Sequence, residues 1–216
     1  MDPHYAQAYV YLGTICFLEW FYGWTTNRPQ TLAQAGELAQ KALTLNETLA
    51  EAHGLLGMVY LWQKQHDLAI REEEQAIALD PNFADGYAYL GGTLGFSGRP
   101  EEGISLVERA MRLNPRYPVL YLQNLGSASR LAGRYKESIA VAKKILARQP
   151  NFPPAHFMLV FGYAQLGQLE EARAAGAEFQ RVNPTFSLEG WRRMAPFKDP
   201  ALVEQDIAAL RKAGLK

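Results

Sequence analysis

The chain has 216 residues, 48% of them apolar, with 22 basic and 22 acidic side chains and a formal net charge of zero. That is enough apolar material for a packed core, which excludes a disordered chain, and there is no basic excess for a nucleic acid or an anionic membrane surface. The only cysteine, Cys16, allows no intrachain disulfide and points to a reducing, cytoplasmic compartment. The opening MDPHYAQAY lacks a basic stretch followed by an apolar one and does not read as a secretory signal.

The first predicted helix spans residues 6 to 17 and runs into a dense aromatic stretch, YVYLGTICFLEWFYGW at 9–24, whose single charge is Glu19. A bilayer span needs about 20 apolar residues of its own. More than half of this run belongs to a helix that recurs along the chain, so the membrane reading fails. Phe17, Trp20, Phe21, Tyr22 and Trp24 prolong that helix by one or two turns, and Thr25 to Gln30 form a loop. Thr31 and Gln34 are placed to form a capping box for the second helix.

A period then organises the chain. Pro81, Pro115, Pro150 and Pro184 lie 34, 35 and 34 residues apart, in the phrases DPNF, NPRY, QPNF and NPTF. Thirty-four residues before Pro81, LNETLAEA keeps the frame without a proline; Pro3 lies a further 44 residues back, so unit one carries ten extra residues. Leu-Gly pairs recur at Leu12-Gly13, Leu56-Gly57, Leu90-Gly91 and Leu125-Gly126, with Leu159-Val160 in the fifth unit. Small residues follow at Ala35, Ala69, Gly103, Ser138 and Ala172, and a second slot holds Ala42, Ala76, Ala110, Ile145 and Phe179.

Each unit reads as two helices. Tyr87, Leu90, Gly91 and Leu94 make a helical stripe, Gly98 ends it in a left-handed turn, and Ile104, Val107 and Met111 make the next stripe. Antiparallel helices approach closely where small residues meet, and the proline stops the second helix. After the last unit, Ser187 caps a short helix that stops before Pro196. Asp199-Pro200 opens another, striped by Val203, Ile207 and Leu210 and ended at Gly214. These two helices are expected to cover the apolar end of the stack. At the other end, Asp2-Pro3-His4-Tyr5 reads as the tail of a preceding unit, and the chain as the C-terminal part of a longer protein.

These Gly, Ala and Pro slots resemble the tetratricopeptide repeat (TPR) over residues 1–186. The resemblance implies an all-α fold: a right-handed α-solenoid of five helix-turn-helix units (6–49, 50–83, 84–118, 119–152 and 153–186) with capping helices over 187–216. It also implies a concave groove lined by the first helices, which holds a protein or peptide segment. Carried over slot by slot, the groove takes Gln7, Val10, Thr14 and Phe17 from unit one. Unit two gives Glu51, Gly54, Met58, Leu61 and Trp62, and unit three Asp85, Ala88, Gly92 and Phe96. Unit four gives Gln123, Ser127, Arg130 and Leu131, and unit five Phe157, Phe161 and Gln165. The groove is mostly apolar. With Arg130 its only cation, it suits a hydrophobic or aromatic segment better than a terminal carboxylate. One or more of these wall residues facing the chain's own terminal helices is the plainer alternative.

Trp20, Phe21, Tyr22 and Trp24 have two readings: packing at the N-terminal end, or an interaction surface that includes self-association. Little else carries chemistry. His4, His53, His66 and His156 show no ligand spacing, and His53 and His156 share one packing slot, so no metal or cofactor is expected. The glycines of LGGTLGFSGRP lack the Gly-Lys-Ser/Thr of a phosphate loop, and Cys16 reads as buried and inert. The charge runs Arg71-Glu72-Glu73-Glu74 and Lys143-Lys144 read as solvated faces of second helices. No nucleophile–base pair appears, so an enzyme is not expected.

Three longer phrases, EWFYGWTTNRPQTLAQAGELAQKALTLN, LLGMVYLWQKQHDLAI and FSLEGWRRMAPFKDPALVEQDIAALRKAGL, are similar to the C-terminal repeat region of bacterial class III adenylate/guanylate cyclases and related regulators. This implies a regulatory or scaffolding module in signalling, with no catalytic residue carried over. The expectation is a protein-interaction scaffold. The alternatives are a homo-oligomerisation module and a small-molecule sensor with a dry pocket roofed by Trp62 and Phe96.

Overall fold

A computed structural model describes residues 5–216, so the Asp2-Pro3-His4 phrase lies outside the described residues. Among these, all regular structure is helical. Unit one pairs α1 (Ala6–Tyr22) with α2 (Arg28–Leu45), and unit two α3 (Ala50–Trp62) with α4 (His66–Leu79). Next come α5 (Ala84–Phe96) with α6 (Pro100–Leu113), α7 (Val119–Leu131) with α8 (Tyr135–Arg148), and α9 (Pro153–Gln165) with α10 (Leu169–Val182). The chain closes with α11 (Leu188–Met194) and α12 (Pro200–Lys212). Each hairpin packs on the next in chain order, the arrangement of an α-solenoid. No helix among the described residues is long and apolar enough to cross a membrane.

The periodic slots explain the stacking. Ala42, Ala76, Ala110, Ile145 and Phe179 are all buried, as are Ala35, Ala69, Gly103, Ser138 and Ala172. At Gly91 a methyl group would lie 2.7 Å from the carbonyl oxygen of Gly103, so α5 and α6 touch backbone to backbone and no larger residue fits. The prolines sit just beyond the helix ends, after Asp80, Asn114, Gln149 and Asn183 at the C-caps, and prevent continuation. Between paired helices the chain turns through a left-handed residue: Gly98 at φ +90°, with Gly133 and Gly167 in the same slot. Unit two places Lys64 there, at φ +61°, a conformation that burdens any residue with a Cβ.

Unit one distributes its ten extra residues symmetrically. Its helices have 17 and 18 residues against 13 and 14 in the other units. The hairpin is therefore about one turn taller on each side, with a longer connecting turn. The start of α2 corrects the sequence expectation. Asn27 is the N-cap, its side chain accepting from the amide of Gln30, and Pro29 sits in the first turn; Thr31 is already inside the helix and buried. The N-cap plus early proline outcompetes the Thr31/Gln34 box because Pro29 presets the helical backbone.

The last two helices start as their caps dictate: Ser187 Oγ accepts from Gly190, and Asp199 from Ala201. Val203, Ile207 and Leu210 are buried against α9 and α10, and Gly214 turns the chain at φ +85°. The apolar end of the stack is thereby sealed.

Candidate functional site

The candidate site is the concave wall, built from α1, α3, α5, α7 and α9. The chain's own C-terminal segment lies against it and touches every unit. Arg28 of unit one donates to Met194 Sδ, and Lys198 Nζ pairs with Asp67 of unit two at 3.0 Å. The Lys198 amide donates to the Phe96 carbonyl at 3.0 Å while the Phe197 ring meets Phe96 at 5.4 Å, both in unit three. Arg130 of unit four pairs with Asp206 at 2.6 Å, and Trp191 packs edge-on to Phe157 of unit five at 4.7 Å.

Arg130 is the clearest case. It is 9% exposed, its guanidinium lies 4.4 Å above the Phe161 ring, and its partner Asp206 accepts a second bond from the Trp191 indole. Burial pushes the Asp206 carboxyl upward, and Arg130 with Trp191 offsets part of that rise. The expectation of Arg130 as a groove cation for a partner therefore changes: it already holds a carboxylate from its own chain.

The remaining expected wall residues divide by depth. Phe17, Leu61 and Phe161 are buried in the core rather than lining an open surface. Trp62 is half-buried in an aromatic cluster with Trp20 at 5.1 Å, Phe21 at 5.5 Å and Phe96 at 6.3 Å, and Met58 packs nearby. These rings of the chain pack against one another. Phe157 is held by Phe161, Phe179, Phe186 and Trp191. Gln7, Glu51, Asp85 and Gln123 lie near the starts of their helices and are half-buried. Asp85 accepts from Tyr121, whose hydroxyl is pushed up by burial and by that carboxylate. Gln165 is exposed beside α12, in a small cleft it shares with Gln205 and Lys212.

The aromatic insertion also divides. Trp20 is buried beneath Arg28, whose guanidinium lies 5.3 Å from its ring, and Phe21 is half-buried. Tyr22 and Trp24 are exposed and stack on each other at 5.0 Å, while Tyr22 reaches Phe152 ahead of α9. Packing accounts for the first pair and leaves the second at the surface.

The shared histidine slot has a structural use. His53 bonds the Glu47 carbonyl and His156 the Pro150 carbonyl, each six residues upstream, and Tyr87 does the same to Pro81. In units two, three and five this slot ties the first helix to the loop before it. The Cys16 thiol is half-buried, and burial raises its pKa.

Sequence reasoning missed Glu73. It was expected on a solvated face, yet it is 0% exposed, accepts from Thr93 at 2.9 Å, and sits against Gly57. Burial pushes its carboxyl well above the usual carboxylate range, and the bond from Thr93 offsets part of that rise. Its repeat slot is otherwise Ala39, Val107, Ala142 and Gly176, a core pattern that flags it. Asp206, flanked by the buried stripe of α12, carried the same signal. A further surface was also missed: Tyr11, Leu12, Ile15 and Leu18 of α1 are all exposed.

A cleft of about 720 Å³ lies between α4 and residues 192–204 and is lined by Lys64, His66, Asp67, Arg192, Lys198 and Glu204, among others. Two of its cations are already ion-paired, Lys198 with Asp67 and Arg192 with Glu204.

Comparison with known proteins agrees with this geometry. Tetratricopeptide-repeat family models match residues 50–83 and 130–178. No curated protein matches the chain. Among solved structures, PilW, a type IV pilus biogenesis factor, superposes with a TM-score of 0.68 at 23% identity, over 96% of this chain and 90% of that one. A thermophilic TPR protein of Thermus thermophilus gives 0.66 at 24% identity, over 95% and 99%. YrrB, a TPR protein with an unusual peptide-binding site, gives 0.53 at 19%, over 85% and 89%. At these identities the likeness is one of fold, and the chain is an α-solenoid whose segments 50–83 and 130–178 match tetratricopeptide-repeat models.

Proposed function

We propose that this chain is a non-catalytic interaction scaffold whose concave wall binds an aromatic partner segment in place of its own strap, residues 195–199. One observation carries the reading. The strap is held by the three contacts by which grooves hold peptides: on the wall a ring on Phe96 and a main-chain bond to the Phe96 carbonyl, and at its edge an ion pair to Asp67 at the start of α4. Tetratricopeptide arrays generally mediate protein–protein contacts, and YrrB has a peptide-binding site by its own description. The test uses a fluorescent peptide of residues 187–199 as probe. It is expected to bind a Phe197→Ala/Lys198→Ala variant at least about tenfold more tightly than the unmodified chain, because an occupied wall lowers apparent affinity by the fraction of open molecules. Failure to bind either protein overturns the reading.

The resemblance of three phrases to cyclase C-terminal regions is what supports placing such a scaffold beside a nucleotide-cyclase-like signalling domain in the bacterial cytoplasm. A second reading, self-association at the N-terminal end, draws on the exposed apolar face of α1.

A further inference from the structure

The helix α1 is apolar all round. Val10, Gly13, Phe17 and Trp20 face the core, and the opposite face carries Tyr11, Leu12, Ile15, Leu18 and Tyr22 with Glu19 its one charge. Tyr11 is 61% exposed and Ile15 53% exposed. A helix hydrophobic on every side is normally buried on every side. The repeat shows what covering looks like: the same slots in α3 are Leu55, Leu56 and Val59, all buried where the preceding hairpin packs on them. On α1 the equivalent residues, Tyr11, Leu12 and Ile15, are exposed.

We infer that this face is an interface with a second copy of the chain, packed about a two-fold axis near Ile15. The inference rests on the self-association reading and moves it from the aromatic insertion to the outward face of α1. Three features favour a second copy. The other end of the stack is sealed by α12, whose outward residues include Glu204, Gln205, Arg211 and Lys212, so head-to-tail growth finds no apolar counterpart. Between copies of this chain, the apolar counterpart of α1 is another α1, and that pairing closes a dimer.

The area suffices as well. A buried aromatic contributes about 150–250 Å². Partly exposed Tyr11, Tyr22 and Tyr5 with Leu12, Ile15 and Leu18 therefore offer roughly 500 Å² per copy, or roughly 1,000 Å² in all, the lower bound for a specific interface. The charges also agree. In an antiparallel crossing at Ile15, each Glu19 falls opposite Tyr11 of the other copy, whose hydroxyl can donate to it, and the two Glu19 side chains stay about 12 Å apart along the axis.

Sedimentation velocity of the full chain from about 1 to about 200 μM tests this. The expected result is a monomer–dimer equilibrium that shifts with concentration. Ile15→Lys is expected to weaken it at least about tenfold with an unchanged helical spectrum and melting curve, whereas Trp24→Ser changes it less than about threefold. A monomer at every concentration, a dimer indifferent to Ile15→Lys, or an open-ended polymer would each overturn the inference. Peptide binding by the concave wall is read separately, so loss of the dimer leaves that reading standing.

Discussion

The two ends of this solenoid solve one problem in opposite ways. Both present the apolar side of a helix that would normally meet another hairpin. At the C-terminal end α12 covers it, with Ile207 and Leu210 fully buried and charged residues turned outward. At the N-terminal end α1 leaves Tyr11, Ile15 and Leu18 in solvent. The helices differ in kind: α12 is apolar on one side and charged on the other, whereas α1 is apolar all round. In a repeat protein burial belongs to the interface between units, and a terminal unit keeps whatever face has no partner.

One substitution placed in the same slot at two positions along the stack separates a covered helix from an uncovered one. Val59 and Ile15 share a slot, the first buried and the second exposed. Val59→Lys is expected to cost more than about 4 kcal/mol in urea unfolding, because it buries an unpaired charge. Ile15→Lys at low protein concentration is expected to stay within about 0.5 kcal/mol of the parent. Similar losses at both sites would mean that α1 is covered within the monomer.

The sealed end comes next. Asp206→Ala leaves Arg130 buried without a counter-charge and is expected to cost about 3 kcal/mol, with Arg130→Met in the same chain restoring part of the loss. If Asp206→Ala proves neutral, the C-terminal helices do not rest on that pair.

Glu73 sharpens the contrast between the middle of the stack and its ends through pH. Its folded pKa is raised above the unfolded value, so its contribution is fully present below the unfolded pKa and lost as pH rises through the folded one. The melting temperature of Glu73→Gln is therefore expected to gain on the parent as pH rises above the ordinary carboxylate range, and parallel curves would refute the buried acid. The smallest gain is local. Lys64→Gly relieves a left-handed turn that the other units assign to glycine and is expected to add about 0.5–1 kcal/mol.

Much of this architecture was legible because it is periodic. Leu-Gly pairs, alanine slots and prolines at a constant stride specify the hairpins and their stacking, and Ser187 and Asp199 specify the terminal helices. The reading faltered where a residue's partner lies far away or its slot overrides its type. Arg130 looks like a groove cation until a carboxylate 76 residues downstream is found beside it. Glu73 sits in a charge run, but its slot belongs to the core. The strap met the wall because Phe197 and Lys198 find partners on α5 and α4, a long-range fit that no local pattern encodes. The face of α1 was hidden by its aromatic neighbours, which drew attention to Trp20 and Trp24 instead of Ile15.

The chain's own C-terminal strap lies on the concave wall. Amide hydrogen exchange tests it most directly, because the Lys198 amide donates to Phe96 across the groove. The account predicts that Lys198 exchanges far more slowly than the amides of the exposed Thr26–Asn27 turn. Exchange of Lys198 as fast as that turn would show an open groove and contradict it.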